Sequence, residues 1–256
     1  MRIVAFSDVH GNLPALEAVL AAAGGTPDLF LVAGDLVGFG PKPREVVDLV
    51  RSRGCLVVKG NVDDYVADPG ALERLLQEVR EARDSGGRYR LPVPLEVFPD
   101  DMAWARRELA DRLDYVANLP FSLSVEPVPG RVLKMVHANP RDMTWPIRLR
   151  MPEEELVEMT RGVDCEVLLF GHHHIPFVRA VGPLQLVNVG SVGYPWDGDT
   201  ATAYTEITFD GDGWHAQQHR IPYDIARAAA LIEGSTMPHK EPILRLLKTA
   251  KRDAAA

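Results

Sequence analysis

Residues 3–12 read IVAFSDVHGN, and the pattern that they set repeats along the N-terminal part of the chain. A short apolar run ends at Asp8, and a helical pattern with Pro14 in its first turn follows. The apolar runs 29–33 and 56–58 also end at turns, with a second helical pattern between them. Short unbroken apolar strands that alternate with helices predict a βαβ series whose parallel strands are buried on both faces.

Strands resume after residue 121, and their connections change. The later strands are predicted at 132–136, 167–170, 177–181, 184–188 and 203–209. Gly182-Pro183 marks a hairpin turn, whereas 153–160 and 223–233 have helical patterns. Late hairpins after early βαβ units predict two sheets rather than one.

Residues 64–120 differ from both of these parts. Leucine and valine repeat at helical spacing over 72–79, a Gly- and Pro-containing break follows over 86–94, and a second helical pattern runs over 104–116. We predict a helical insertion, which serves either as packing or as a lid over a site. The chain, 1–256, is expected to be a single domain, with a C-terminal tail over 235–256.

The amino-acid composition of the chain limits the classes of partner that it can bind. The chain has 256 residues, of which 46% are hydrophobic, and a formal net charge of −8. Ordinary apolar content excludes disorder as the dominant state. An acidic protein repels long polyanions, so no long nucleic acid is expected as a partner, whereas a small phosphate ester is still allowed. Two cysteines make no disulfide framework, and no apolar run suits a signal peptide or a membrane helix. We therefore expect a cytoplasmic protein that binds no membrane, with its oligomeric state open.

Side chains able to bind metals follow five of the predicted strands. They are Asp8, His10, Asp35, Asn61, His137, His172 and His174. The intervals from Asp8 to Asp35 and from Asp35 to Asn61 are each long enough for one βα unit. Because polar residues at the carboxyl ends of such strands meet at one sheet edge, this pattern predicts a metal cluster. Imidazole and carboxylate together suit Mn, Fe, Ni, Co or Zn better than Ca or Mg, and no thiolate points to structural zinc.

Each of these motifs also has an ordinary structural explanation. Asp8 could cap the following helix, and Gly34-Asp35 and Gly60-Asn61 could be simple turns. His137 could be a hydrogen-bonded core histidine, and residues 172–174 could form a solvated loop. The metal hypothesis is favoured because these alternatives would require five separate coincidences in the observed order.

The motifs resemble those of the calcineurin-like metallophosphoesterase family, whose pattern is Asp-x-His, Gly-Asp, Gly-Asn, His and Gly-His-x-His. This chain has SDVHGN at 7–12, GDLVG at 34–38, GNVD at 60–63, His137 and GHHH at 171–174. The resemblance runs from residue 1 to about residue 225. NVGSVG at 188–193 and WDGD at 196–199 make it closer to small bacterial phosphodiesterases of that family.

The resemblance implies an α/β four-layer sandwich of two mixed sheets flanked by helices, with a site for two divalent ions. One ion would take Asp8, His10 and His174, the other would take Asn61, His137 and His172, and Asp35 would bridge them. Manganese is the first expectation, with Fe, Ni, Co or Zn as alternatives. Asp35 and Asn61 would be the catalytic residues, and a hydroxide between the ions would attack phosphorus in line. The local charge would be positive, opposite in sign to that of the chain.

One position departs from the family pattern. Many members have a histidine after the asparagine, where it protonates the leaving group or steadies the transition state, but this chain has Val62. Valine transfers no proton, which implies slower turnover or a preference for leaving groups that need less help. His173 is a candidate substitute, although it could equally be an outward loop histidine. Asp63 is expected to orient Asn61 or its loop.

Substrate contacts are expected from Asn61, His173, Asn139 and Arg141. For Arg141 the alternative is a surface charge paired with Asp142. The predicted function is hydrolysis of small, nucleotide-like phosphodiesters. A catalytically weak or inactive protein-binding scaffold of the same fold is the alternative, and Val62 is its only support, since all seven ligands are present. A recombination-type nuclease is disfavoured by the net charge of −8.

Overall fold

The computed structural model describes residues 1–84 and 97–251, and these form two five-stranded mixed sheets flanked by helices. The strands are β1 Arg2–Phe6, β2 Leu29–Val32, β3 Leu56–Val57, β4 Ser122–Val125, β5 Leu133–Val136, β6 Val167–Phe170, β7 Phe177–Val181, β8 Leu184–Asn188, β9 Thr202–Phe209 and β10 Trp214–Ile221. The helices are α1 Leu13–Ala22, α2 Pro43–Ser52, α3 Asn61–Ala67, α4 Pro69–Asp84, α5 Phe98–Leu109, α6 Leu113–Ala117, α7 Glu153–Met159, α8 Ile225–Gly234 and α9 Lys240–Thr249, and a 3₁₀ turn, Ala110–Arg112, joins α5 to α6.

Each sheet contains three neighbouring parallel strands, as the βαβ pattern predicts for the first sheet. The first sheet has the order β10-β9-β1-β2-β3, in which β1, β2 and β3 are parallel and the last two strands of the chain return antiparallel. The second has the order β4-β5-β6-β8-β7, with antiparallel strands at both edges. The predicted class, an α/β sandwich of two mixed sheets, is confirmed.

Alternating side chains sort the core into layers. In β1, Ile3 and Ala5 pack with residues of the second sheet, whereas Val4 and Phe6 pack with the helices on the outer face. The outer face of the second sheet packs against α7 through Leu156. The layers therefore run helices, sheet, sheet, helix.

The predicted insertion is helical wherever the structure describes it, and it begins earlier than expected, because α3 starts at Asn61. The predicted break over 86–94 lies outside the described residues. Val79, Met102 and Trp104 are buried in the same apolar cluster as α1 and α2, so the insertion packs as part of the core.

Strand β10 and helix α9 are among the elements that the sequence analysis does not predict. The polar strand β10 pairs along its whole length with β9. The stretch predicted as a C-terminal tail contains α9, whose Ile243 and Leu247 are buried in the outer cluster of the first sheet. Residues 252–256, the end of that stretch, lie outside the described residues. Over 1–84 and 97–251, no helix has the length and apolar character needed to span a membrane.

Candidate metal centre

All seven predicted ligands lie together where the carboxyl ends of both sheets meet. They come from the turns after five strands: Asp8 and His10 after β1, Asp35 after β2, Asn61 after β3, His137 after β5, and His172 and His174 after β6. This is the sheet edge at which α/β folds place ligands.

The first group of ligands consists of Asp8, His10 and His174, all of them buried. The Nε2 atom of His174 lies 3.2 Å from Oδ1 of Asp8 and 3.3 Å from Nε2 of His10. The same Asp8 oxygen is 3.8 Å from Nε2 of His10. Three potential ligand atoms therefore converge on one point.

The second group consists of Asp35, Asn61, His137 and His172. Nε2 of His137 lies 2.9 Å from Oδ1 of Asn61 and 3.2 Å from Nδ1 of His172. Oδ2 of Asp35 is 3.5 Å from Nε2 of His137 and 3.6 Å from Nε2 of His10 in the first group. Asp35 is thus placed between the two groups, as a bridging ligand would be.

The ligand turns have an unusual backbone. Nine non-glycine residues among those described have positive φ, and five of them are predicted ligands: Asp8, His10, Asp35, His172 and His174. Such conformations are unfavourable for residues with a Cβ atom and persist where the surroundings hold them. Here the Asp8 amide donates to the Gly34 carbonyl, and the His10 amide donates to the Asp35 carbonyl, so that the first two turns are bound together.

Backbone carbonyls determine which imidazole nitrogen is free. Nδ1–H of His10, His137 and His174 donates to the carbonyls of Val37, Ala33 and Tyr194, respectively. In each neutral ring this leaves a lone pair on Nε2. His172 is reversed, because its Nε2–H donates to the Thr144 carbonyl and Nδ1 faces the centre. Partners of this kind orient metal-binding histidines.

Asp63 holds the turns of the second group. Its carboxylate accepts hydrogen bonds from the amides of Asp35, Leu36, Val37 and Gly60. The side chain is fully buried. Asp63 therefore fixes the turn that carries Asp35 to the turn that carries Asn61, which agrees with the orienting role expected from the sequence.

Burial changes the charges of the ligands. Desolvation, followed by repulsion from His174, lowers the pKa of His10 to about 3. Desolvation, followed by repulsion from His137, lowers the pKa of His172 to about 3. Burial alone would raise the pKa of Asp8, but His174 and the other histidines outweigh it and hold that pKa below its usual value. Burial raises the pKa of Asp35 well above its usual value.

The atoms of the centre fit metal ions. Burial lowers the pKa values of His137 and His172, which favours neutral rings, and in neutral rings the two facing nitrogens both carry lone pairs. Oδ1 of Asp8 is buried and has no hydrogen-bond donor in the described part of the chain. Buried acceptors with no proton between them are costly. A divalent ion in each group would satisfy these atoms together.

A cavity of about 620 Å³ opens onto the centre. Its walls include ligands and six aromatic side chains, which are Phe39, Tyr65, Phe98, Trp145, Tyr194 and Trp196. The Trp196 ring stacks on His174 with 3.9 Å between centroids. Leu75 of α4, Phe98 of α5 and Leu246 of α9 also line the cavity, so that the insertion contributes to the wall as well as to the core.

The expected substrate contacts divide into two sets. Asn61 and His173 line the cavity, and so does Val62. Asn139 and Arg141 do not: the Asn139 side chain binds backbone groups of its own loop, including the Trp145 carbonyl. Arg141 is exposed, and its guanidinium lies 3.7 Å from Glu158 rather than next to Asp142. Hydrogen bonds within the loop explain the position of Asn139, and a surface ion pair explains that of Arg141. Direct phosphate binding by these two residues stays a prediction that their positions do not support.

Several cavity residues were missed. Thr144, Trp145 and Arg148 follow Asn139 on the same loop, and Leu246 comes from the unpredicted α9. No metal-ligand motif marks them. Trp196 also lines the cavity, and it lies in the WDGD stretch at 196–199. An aromatic residue in that stretch is the one signal of the cavity wall that the sequence offers.

Comparisons with known proteins point to one family. A family model described as the calcineurin-like phosphoesterase superfamily domain matches residues 1–210. An uncharacterised protein of Methanocaldococcus jannaschii is 30% identical over 92% of this chain and 93% of its own length.

Solved structures agree with that match. A metallophosphoesterase from Sphaerobacter thermophilus has a TM-score of 0.73 and 28% identity, covering 98% of this chain and 100% of that one. A hypothetical protein from Pyrococcus horikoshii has a TM-score of 0.79 at 19% identity, covering 98% of this chain and 99% of that one, which shows a shared fold.

Proposed function

Because the chain belongs to the calcineurin-like phosphoesterase superfamily, we propose that it is a hydrolase with two divalent metal ions that cleaves small, nucleotide-like phosphodiesters. The observation that carries this proposal is the pair of buried ligand groups that share Oδ2 of Asp35. Buried acceptor atoms arranged in two adjoining sets suit two cations better than one.

Each ligand has a distinct position in the proposed reaction. Bound ions would supply a water of lowered pKa and positive charge for the phosphate oxygens. Asp35 links the two groups, and Asn61 belongs to the second group while it also lines the cavity. Asp63 keeps both of these residues in place through backbone hydrogen bonds. We infer manganese as the first ion to test, with Fe, Ni, Co and Zn as alternatives.

The cavity favours diesters over monoesters. The described lining residues include six aromatic side chains, and Arg148 and Glu78 are the one basic and the one acidic side chain among them outside the candidate ligands and histidines. A diester has two organic groups to place against such an aromatic wall, whereas a monoester has one.

The test is hydrolysis of bis(p-nitrophenyl) phosphate by metal-stripped protein to which each ion is returned. We expect activity to return with Mn²⁺ or a similar ion. Asp35→Asn should lower that activity by orders of magnitude, because the carboxylate shared by the two groups is lost. The circular dichroism spectrum of the variant should be unchanged. Asp212→Asn, on the exposed turn between β9 and β10, is the matched control and should behave as wild type. Full activity of Asp35→Asn would refute the two-metal proposal.

The second candidate function is that of a protein-binding scaffold. Its support is Val62, which stands where many family members have a proton-donating histidine. Binding of two ions without hydrolysis of any phosphate ester would favour it. The cavity and the complete ligand set favour the enzyme.

A further inference from the structure

The loop over 144–148 forms a fixed platform at the cavity. The Thr144 carbonyl accepts from His172, and the backbone of Trp145 is held on both sides, its amide donating to Asp142 and its carbonyl accepting from Asn139. Ile147 is fully buried in the outer core of the second sheet. The loop is therefore tied both to a ligand of the metal centre and to the core.

Arg148 extends from this platform into the cavity wall with its charge unused. Its guanidinium has no hydrogen bond or ion pair within residues 1–84 and 97–251, although other arginines nearby have them: Arg141 pairs with Glu158, and Arg179 binds the Leu149 carbonyl. An unpaired guanidinium beside a phosphate-cleaving centre is suited to bidentate binding of a second phosphate.

Trp145 adds a stacking surface. Its side chain is 55% exposed, more than any other large apolar side chain among those described, and it lines the same cavity. The backbone of Trp145 is already fixed by hydrogen bonds. Stacking of a planar ligand on its indole would therefore cost little additional conformational entropy. Aromatic side chains in such positions stack nucleobases.

Val62 limits the bond that can be cleaved. Its side chain is 4% exposed, and a Cβ atom built on Gly38 would lie 2.4 Å from its Cγ1 and 3.4 Å from the terminal carbon of Met102. Packed in this way, position 62 offers no proton to a leaving group. A leaving phosphate needs none, since its pKa is about 6, whereas an alcohol resembles water at about 15.7.

We propose that the preferred substrates are nucleotides in which the scissile phosphorus is joined to a second phosphate, with the base on Trp145 and the second phosphate on Arg148. This inference rests on the proposed hydrolase. The oxygen of a water forms a bond to phosphorus while that water loses one proton to the solvent, the P–O bond of the anhydride breaks, and its electron pair leaves with the second phosphate as an anion facing Arg148. The attacked phosphorus carries two substituents, as in a diester.

Two substrates separate this subsite from the metal centre. Diadenosine triphosphate, cleaved to AMP and ADP, has bases and additional phosphates, whereas bis(p-nitrophenyl) phosphate has neither. With Mn²⁺-loaded protein, we expect Arg148→Ala to lower kcat/KM for the dinucleotide by about 10- to 100-fold and to lower kcat/KM for the nitrophenyl ester by much less. Trp145→Ala should raise KM for the dinucleotide by about 5- to 100-fold, and Trp145→Phe should retain part of the affinity.

Calorimetry gives a readout without turnover. Titration with α,β-methylene-ADP, which has no P–O–P bond to cleave, should show weaker binding to both alanine variants. Arg150→Ala and Leu149→Ala, exposed on the same loop but outside the cavity wall, are the matched controls and should bind and cleave as wild type.

The outcomes distinguish the two proposals. No cleavage of the nitrophenyl ester with any ion would refute the hydrolase, while calorimetry would still report on the subsite. Cleavage of that ester without cleavage of the dinucleotide would overturn the substrate assignment alone. Equal losses on both substrates in Arg148→Ala would also overturn it, because Arg148 would then bind the scissile phosphate itself.

Discussion

The two ligand groups differ in how closely the protein surrounds them. Asp8, His10 and His174 are buried, and His174 is covered by the Trp196 ring. In the second group, His172 and Asn61 are partly exposed and face the cavity. We call the first group the closed half and the second group the open half. In the proposed function, the closed half would bind an ion inside the protein, and a substrate would reach the centre through the open half. Variants that change one half show whether the other half responds.

The largest effect is expected from His172→Ala in the open half. This variant removes one ligand of the second group and leaves all three of the first. We expect metal analysis to find about one ion per chain instead of two, and hydrolysis to fall by about 10³-fold, as loss of several kcal/mol of charge stabilisation requires. His215→Ala, at an exposed histidine on β10, is the control. Two ions and wild-type activity would show that His172 is no ligand.

Asp8→Asn is the corresponding change in the closed half. Activity should again fall by about 10³-fold, and the metal-free protein should also become less stable. The neighbouring histidines hold the pKa of Asp8 below its usual value, so its carboxylate stabilises the folded chain at neutral pH, and an uncharged asparagine loses that contribution. A loss of roughly 1 kcal/mol corresponds to a Tm decrease of about 2–4 °C for a chain of this size.

Thermal unfolding with a chelator measures that decrease, and Asp212→Asn is again the control. An unchanged or higher Tm would mean that the Asp8 carboxylate does not stabilise the metal-free closed half.

Asp63→Asn tests the support of the open half. An amide cannot accept four backbone N–H bonds, so affinity for the second ion should fall by about 10- to 100-fold, as is typical when a supporting partner is removed. Asp64→Asn is the matched control, since Asp64 is the next residue of α3 and pairs with Lys59. Calorimetric titration with Mn²⁺ measures both affinities. Equal weakening of both ions would show that Asp63 supports the whole centre.

Asp63→Asn should also change how the stability of the metal-free protein depends on pH. Burial raises the pKa of Asp63 to about 7 from an ordinary value of 3.8. The group therefore contributes its full stability below about pH 4 and loses it as the pH rises towards 7, because only the unfolded chain ionises in that window. The asparagine of the Asp63→Asn variant does not titrate, so unfolding of the metal-free variant should depend less on pH between 4 and 7. An unchanged slope would contradict this assignment.

The candidate ligands and the cavity wall differ in how well the sequence predicts them. The sequence could predict that the seven candidate ligands lie together, because each follows an apolar strand and parallel strands bring their carboxyl ends to one edge. Trp145 and Arg148 could not be predicted, because the loop that carries them is fixed by contacts of Asn139, Asp142 and Ile147 that have no sequence signature. Helix α9 was missed although Ile243, Leu244 and Leu247 have helical spacing, and β10 was missed because it is polar.

The smallest effect is expected at Val62, where the open half meets the insertion. A histidine there would add the missing proton donor, but its ring must fit a buried position where Cγ1 of Val62 lies 2.4 Å from the point at which a Cβ atom of Gly38 would stand. We therefore expect Val62→His to raise turnover only a few-fold, well below the ~10²–10⁴-fold of a positioned acid. The gain should be confined to poor leaving groups such as the ribose oxygen of 2′,3′-cyclic AMP. Bis(p-nitrophenyl) phosphate and diadenosine triphosphate should show none, since their leaving groups depart as anions. Val62→Ala, which makes room without a proton donor, should raise neither rate. A gain on all substrates would mean that access, rather than proton transfer, limits the open half.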